Sequence, residues 1–398
     1  MTAVRWALLI SLALPAAAQP VDFDVHAQAT SILQNHPPFH SPYVGLNSLL
    51  PIWESDTSLT ATVFMTLTYR DTELHVDPEL AGGKGFSGVR GVAGFPNGEI
   101  PRVASATPKP YLARVYLKQK YRWFTWSAGK FSANDFFDQN VYSHDPRAQF
   151  INWSIMDNGA WDYPADVRGY TVGVVQEVTI GPAVLRAGSF LEPVSANGPF
   201  LDRHIAANHG DIVEFQYGYA KGGIVRMMGY VNHANMGTYR EADQDIIATR
   251  RPDTMKYGCG VNVEQAITAN AGAFLRLGWN DGKTESWAFT EIDRTASGGV
   301  SVHGNSWRRP DDVVGVAMAV NGISGDHASY LARGGYGFLI GDGQLPHYVP
   351  EVILETFYNW NIRKPVYLTP DYQFIQHPAY NRDRGPVNVI SLRLHLEK

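Results

Sequence analysis

The sequence predicts an all-β protein, a transmembrane antiparallel β-barrel of about 16 strands with short periplasmic turns and long extracellular loops. Polar and apolar residues alternate along many segments, as they do in strands whose two faces differ. Short and long connections between these segments also alternate along the whole chain. No stretch after residue 18 approaches the ~20 apolar residues that a membrane-spanning helix needs. These observations favour strands that close into a barrel.

The first 18 residues have the composition of a secretory signal peptide. Arg5 supplies a positive N-terminal region, residues 6–14 form an apolar core, and three alanines at 16–18 precede the cleavage position. The apolar run is too short to span a bilayer as a helix. We therefore expect residues 1–18 to be removed on export, leaving residues 19–398 as a single outer-membrane barrel domain.

Charge and cysteine content exclude several classes of protein. Removing residues 1–18 changes the formal net charge from −5 to −6, because Arg5 is the only charged residue among them. A mildly acidic chain of this kind is not expected to bind nucleic acid. Cys259 is the only cysteine, so a disulfide-stapled scaffold is excluded for an exported protein.

Period-two alternation is clearest in four segments, at residues 60–70, 255–265, 270–280 and 389–398. In each, one parity is mostly apolar and the other is mostly polar or charged. In the last segment, Ile390, Leu392, Leu394 and Leu396 alternate with polar residues. Such segments predict strands with one apolar face and one polar face.

Residues 111–123, YLARVYLKQKYRW, raise the question of which face of a strand points outward. Arg114, Lys118, Lys120 and Arg122 share one parity, whereas the other parity begins at Tyr111 and is mostly apolar. This segment alone also fits a half-buried strand of a soluble protein. Fifteen further segments and the alternation of short and long loops favour a barrel. In a barrel the apolar face of the segment contacts lipid and the basic face lines a water-filled lumen.

The connections fall into two kinds. An even number of strands returns both termini to one side, so the short turns are expected in the periplasm and the long loops outside the cell. The long connections are predicted at 35–58, 81–110, 132–165, 192–209, 234–253, from 281, at 322–349 and at 376–386. Aromatic residues expected at the membrane interfaces are Tyr69, Trp123, Trp279, Tyr358 and Trp360.

Six stretches of the sequence resemble the carbohydrate-selective porins of the OprB family. They are 26–49 (HAQATSILQNHPPFHSPYVGLNSL), 74–99, 110–119, 289–318, 322–343 and 368–395, which together extend over nearly the whole mature chain. The resemblance implies passive diffusion of monosaccharides or other small solutes across a bacterial outer membrane. It implies no catalytic residue and no cofactor, and it leaves open whether the barrel is a monomer or a trimer.

The C-terminal residue departs from the family pattern. OprB-type porins usually end on an aromatic residue, normally Phe, and here Lys398 stands at that position. Alternation up to Leu396 is intact, so the last strand is still expected. The departure concerns recognition by the barrel-assembly machinery, which is an expected partner alongside the outer-membrane lipid.

A sugar channel needs groups that replace the hydration of sugar hydroxyls while binding weakly. Arginine offers several planar donors that can bridge adjacent hydroxyls, and carboxylates accept from them. Each candidate could equally be a wall residue away from the constriction. The candidates for lining the pore are Arg114, Tyr116, Lys118, Arg122, Arg186, Glu214, Arg226, Lys256, Glu264, Arg276, Glu355 and Arg393.

Two aromatic residues share the polar parity, Tyr116 and Phe274. They could stack on a sugar ring or pack against a loop folded into the barrel. The loops expected to form such a constriction are 81–110 and 132–165.

The second of these loops carries Asp135, Asp138, His144 and Asp145 close together in sequence. Their spacing does not match a known metal-ligand pattern, so we expect a polar loop and no metal site.

Three alternatives remain open at this stage. The first is a general or anion-preferring porin, which the basic face of 111–123 would suit. The second is an outer-membrane enzyme or adhesin built on a barrel, although no catalytic constellation is found by spacing. The third is a secreted soluble β-protein.

Overall fold

Consecutive antiparallel strands form the wall of the molecule. The computed structural model describes residues 21–100, 105–219 and 222–398, so the predicted signal peptide at 1–18 lies outside the described residues. Within the described residues, sixteen strands pair in chain order and β1 pairs with β16, which closes the barrel. The strands are β1 Asp22–His36, β2 Glu54–Tyr69, β3 Thr72–Gly83, β4 Lys109–Tyr121, β5 Phe124–Phe131, β6 Thr171–Ile180, β7 Ala183–Leu191, β8 His209–Tyr219, β9 Gly223–Met236, β10 Arg251–Thr268, β11 Ala271–Asn280, β12 Arg294–Gly304, β13 Arg309–Gly322, β14 Glu351–Arg363, β15 Val366–Gln376 and β16 Val387–Glu397.

The two faces of the wall follow the alternation in the sequence. In β2, Leu59 and Val63 are exposed on the outside, while Thr60 and Thr62 between them are buried inside the barrel. Cys259 is exposed on the outer face of β10, where Met255 and Tyr257 are also exposed. In a bilayer the closed barrel satisfies every strand hydrogen bond internally and presents this apolar surface to lipid.

The C-terminal residue takes part in closing the barrel. Ala27 and Lys398 exchange two backbone hydrogen bonds of 2.8 and 2.9 Å, so the terminal lysine extends the pairing between β1 and β16.

Connections alternate between short turns and eight long loops, as predicted. Short turns occupy positions such as 70–71, 122–123 and 181–182, whereas 220–221 lie outside the described residues. The long loops are L1 (37–53), L2 (84–108), L3 (132–170), L4 (192–208), L5 (237–250), L6 (281–293), L7 (323–350) and L8 (377–386). L3 contains the short helix α1 (Trp153–Met156), and L7 contains α2 (Gly325–Ala332). No helix in the described part of the chain is long and apolar enough to cross a membrane.

Two expectations from residues 111–123 are wrong. Arg122 does not line the lumen, because β4 ends at Tyr121 and Arg122 lies exposed in the following turn. Tyr111 is not on the lipid face, because the register between β3 and β4 shifts between Asp77 and Pro78. This bulge reverses the parity of β4 at its extracellular end, and the Tyr111 hydroxyl consequently donates to the lumen carboxylate of Glu79.

Residues 91–100 of L2 and the loop L3 fold inside the barrel, within the stretches 81–110 and 132–165 that the sequence predicted. Aromatic side chains from L2, L3 and L6 form a buried column. Its ring centroids are 5.1 Å apart for Phe95 and Trp153, 5.4 Å for Trp153 and Phe289, and 4.9 Å for Phe289 and Tyr163. The apolar core of the molecule therefore lies within the barrel, between the loops, while the outer surface is left to lipid.

Two paired glycines of the wall make room for L3. Gly260 of β10 lies opposite Gly278 of β11. A Cβ at Gly278 would come within 1.9 Å of Asn158 Oδ1, and a Cβ at Gly260 within 2.2 Å of Asn158 Nδ2. The missing side chains thus allow Asn158 of L3 to pack directly on the wall.

The variant Gly278→Val should displace Asn158 and loosen L3 without opening the barrel. We expect increased noise and a higher mean conductance of single channels in planar bilayers, with an unchanged shift in gel mobility between heated and unheated samples. Gly229→Val is the matched control, since an added Cβ there meets nothing within 4 Å. Conductance and noise equal to those of the control would contradict this role of Gly278.

Candidate functional site

Arg276 of β11 fastens the loop L3 to the wall. Its guanidinium donates to the carbonyl oxygens of Ile155 at 3.0 Å and Ser143 at 2.6 Å, and its Nε lies 2.9 Å from Asp138 Oδ2. The Arg276 side chain is fully buried. Because these hydrogen bonds and this ion pair are all with L3, Arg276 positions the loop and does not line open space.

Wall carboxylates bind the backbone of the same loop. Glu355 accepts hydrogen bonds from the N–H groups of Ile151 at 2.6 Å and Asn152 at 3.0 Å. Glu214 and Glu264 each accept one further L3 N–H group, at 2.9 Å in both cases. A buried carboxylate is stable only when such donors surround it, so loop and wall depend on each other.

Two further wall cations complete the attachment. Arg393 donates to the carbonyl oxygens of Pro146 at 2.8 Å and Gln149 at 2.6 Å. Lys256 lies 3.2 Å from Asp162, and both side chains are fully buried.

Six of the residues proposed as pore-lining are therefore corrected: they are buried against L3, where a solute cannot reach them. They are Glu214, Lys256, Glu264, Arg276, Glu355 and Arg393.

Arg186 and Arg226 belong to a network on neighbouring strands. Arg186 pairs with Glu177 at 2.7 Å and Glu214 at 3.0 Å, and Arg226 pairs with Glu264 at 3.2 Å. Arg226 is buried, whereas Arg186 remains partly exposed to the lumen. These arginines neutralise the wall carboxylates that bind the backbone of L3.

The two lumen aromatics pack against protein. Tyr116 stacks on His75 with ring centroids 4.4 Å apart and meets the edge of Phe136 from L3. Phe274 packs on Phe150 of L3 at 5.7 Å. Of the two alternatives for these aromatics, packing against an inward-folded loop is the one found.

An open cavity of about 280 Å³ remains where L3 faces β1, β2 and β4. The wall contributes Gln28, Phe64 and Arg114, and L3 contributes side chains such as Asp135 and His144. Arg114 is the one predicted residue that borders this cavity, and it donates to both oxygens of Asp135, at 2.7 and 2.5 Å.

A second arginine, Arg147, lies beside the same cavity. It donates to Glu79 at 2.9 Å, to Glu99 at 3.3 Å and to the hydroxyl of Thr62 at 3.0 Å. We call Arg114, Arg147, Glu79, Glu99 and Asp135 the arginine cluster. Arg114 and Asp135 are partly exposed at the opening, whereas Arg147 and Glu99 border the cavity as buried side chains and Glu79 pairs with Arg147 away from the lining.

Sequence reasoning missed three members of this cluster. Arg147 and Glu99 come from loops, where strand parity gives no direction for a side chain. Glu79 shares the parity of His75 and Asp77 on β3, whose register with β2 does not shift there, so the alternation of β3 was a signal that could have found it. For Asp135, the sequence predicts only a position in a polar loop.

The acidic residues of L3 separate in the fold. Asp135 pairs with Arg114, Asp138 with Arg276, and Asp145 accepts the N–H of Arg147 at 2.9 Å. His144 lies 3.5 Å from Asp157. In the ranges that the structure describes, no group of three or more His, Cys, Asp or Glu side chains is arranged to hold a metal ion.

Comparison with known proteins identifies the family. The family model of the carbohydrate-selective porins, OprB family, matches residues 66–397. The chain belongs to the OprB family. No curated protein sequence matches the chain.

Solved structures of outer-membrane channels share the fold of this OprB-family porin. The high-pH structure of Pseudomonas putida OprB superposes with a TM-score of 0.74 at 16% identity and covers 94% of each chain. The channel DcaP of Acinetobacter baumannii gives a TM-score of 0.56 at 11% identity, over 95% of this chain and 97% of that one. Family and fold imply a carbohydrate-selective channel of the bacterial outer membrane rather than an enzyme.

At the extracellular side of the porin, Glu291 of L6 holds the tip of L7. Its Oε2 accepts the N–H groups of Leu339 at 2.7 Å and Ile340 at 2.8 Å. A Cβ at Gly337 would lie 1.5 Å from Glu291 Oε1, so only glycine permits this approach. Burial raises the pKa of Glu291 to about 7, against the opposing effects of His327 and the two N–H donors.

Arg276→Leu should release L3 while the barrel persists. Breaking a buried ion pair of this kind costs about 3–5 kcal/mol, because Asp138 loses its partner. We expect trypsin to cleave L3 after Arg147 at least about tenfold faster in the folded variant. Arg309→Leu, at a periplasmic turn where Arg309 pairs with Asp312, is the matched control. Equal resistance of both variants would contradict a positioning role for Arg276.

Glu291→Gln should alter how stability depends on pH. The folded pKa of Glu291 is about 7, whereas its ordinary value is 4.5. Between these two pH values the carboxyl of the folded protein therefore keeps a proton that the carboxyl of the unfolded chain has lost. This stabilisation is complete below pH 4.5 and is lost as the pH rises through 7. The glutamine amide stays neutral at every pH. As the pH rises across that interval, the free energy of unfolding of the variant should therefore increase relative to that of the wild type by of the order of 3 kcal/mol. Urea unfolding in detergent at several pH values measures the difference, and a pH-independent difference would rule the interpretation out.

Proposed function

We propose that this porin passes neutral monosaccharides by passive diffusion through the cavity beside L3, and that the arginine cluster is its selective element. The observation that carries the proposal is the position of Arg114 and Arg147 at one opening, each paired with carboxylates. A solute that crosses the barrel beside L3 meets these side chains.

The chemistry of the arginine cluster suits sugar hydroxyls. Each hydroxyl both donates and accepts, so a surface that offers guanidinium N–H groups beside carboxylate oxygens can replace its lost water. The planar guanidinium of Arg114 can bridge two adjacent hydroxyls, while the partly exposed Asp135 can accept from others.

Weak binding follows from the same pairing. The donors of Arg114 and Arg147 are already engaged with Asp135, Glu79 and Glu99, so a sugar must compete with these bonds. Because of this competition the sugar binds weakly, and a weakly bound solute leaves as quickly as a channel requires.

A general or anion-preferring porin is the second candidate. The basic face of β4 favours it, since Arg114, Lys118 and Lys120 all point into the lumen. Each of them, however, lies near a carboxylate: Arg114 at Asp135, and both lysines at Glu73. Local neutralisation of this kind favours selection by hydrogen bonding over selection by charge.

Export and membrane insertion belong to the same proposal. We infer that residues 1–18 direct export and are removed, and that residues 19–398 insert as one barrel into the outer membrane. The channel function requires no cofactor.

Arg114→Gln should weaken sugar binding while leaving the barrel intact. In planar bilayers, glucose titrated into both chambers should reduce the wild-type current saturably. The variant should need about tenfold more glucose, because it loses a charge-assisted donor. Lys118→Gln, further toward the periplasm on the same strand, should behave like the wild type. Wild-type openings that are indifferent to glucose would instead favour a general porin.

A further inference from the structure

A second cavity, of about 270 Å³, lies among L2, L3, L4, L6 and L7. It holds the volume of roughly nine water molecules, which is comparable with one monosaccharide of twelve or so non-hydrogen atoms. Its side chains include Arg90, Asn197 and three phenylalanines, Phe95, Phe289 and Phe338. Every one of these residues comes from a loop on the extracellular side of the wall, and L4, L6 and L7 line this cavity but not the one beside L3.

The charge of this cavity differs from that of the arginine cluster. Arg90 is exposed, and among the described residues it has no carboxylate neighbour in the cavity lining and no side-chain ion pair. Arg114 and Arg147, by contrast, are both held by carboxylates. An unpaired guanidinium in a partly enclosed space attracts anions and binds a carboxylate through two parallel hydrogen bonds.

The walls of the cavity are fixed by contacts between loops. The carbonyl of Leu339 accepts the N–H of Gly91 at 2.8 Å, which ties L7 to L2 next to Arg90. The N–H of Asn197 donates to the carbonyl of Trp287 at 2.7 Å, which ties L4 to L6. Phe338 belongs to the L7 tip that Glu291 holds, and it packs against the aromatic core as a partly buried ring. A cavity with walls fixed in this way binds a ligand at little cost in ordering.

We propose that this cavity is a capture site for sugar acids, that is, for monosaccharides carrying a carboxylate. Arg90 binds the carboxylate, the ring of Phe338 covers an apolar C–H face of the sugar, and backbone groups of the loops meet the hydroxyls. The proposal rests on the proposed function, because the captured solute must then pass the arginine cluster. It extends that function from neutral sugars to anionic ones.

The test uses D-glucuronate and glucose as separate blockers of the same channel. Purified full-length porin is inserted into planar bilayers with one orientation, and each sugar is titrated on the side of the long loops. In Arg90→Gln, half-maximal reduction of the current should need about tenfold more glucuronate than in the wild type. The response to glucose should be unchanged. Arg382→Gln is the matched control, since Arg382 is an exposed arginine of L8 that does not line the cavity.

Three results would overturn the proposal. They are a wild-type channel that glucuronate does not block, an Arg90→Gln channel that it blocks as strongly as the wild type, and equal losses in Arg90→Gln and Arg382→Gln. The last would mean that overall charge governs the block and not a site. If glucose fails to block any channel while glucuronate still distinguishes Arg90→Gln from the control, the proposed neutral-sugar function fails and the capture site stands.

Discussion

The attachment of L3 to the inner wall by buried charges is the interaction on which the rest of the molecule depends. A long loop inside a barrel carries many backbone groups away from water, and each needs a partner. Wall residues such as Arg276, Glu355 and Arg393 supply these partners directly to the L3 backbone. Without them, L3 would leave the lumen, the apolar core between the loops would be exposed, and the barrel would be a wide, unselective pore.

This arrangement separates two kinds of lumen charge. Buried residues on β8, β10, β11, β14 and β16 hold L3, and a solute cannot reach them. Arg114 of β4 and Asp135, Glu99 and Arg147 of the loops border the space that L3 leaves open. A mutation of the first kind alters where L3 sits, whereas one of the second kind alters what the opening binds. The distinction explains why a charged lumen wall does not by itself identify a sugar site.

The sequence was sufficient to predict the wall but not the site. Alternation located the strands and the eight loops because strand periodicity is a local property of the chain. It could not foresee the bulge of β4 opposite Asp77, which turns Tyr111 into the lumen beside Glu79, nor the end of β4 before Arg122. Loop residues such as Arg147 have no parity to follow, and their positions depend on contacts with distant strands.

A crystal structure of the porin soaked with glucose tests most directly whether the sugar passes beside L3. We expect sugar density in the cavity beside L3, within hydrogen-bond distance of Arg114 and Arg147, with L3 still held by Arg276 and Glu355. Sugar density elsewhere along the wall, or an L3 withdrawn from the lumen while the sugar is bound, would contradict this expectation.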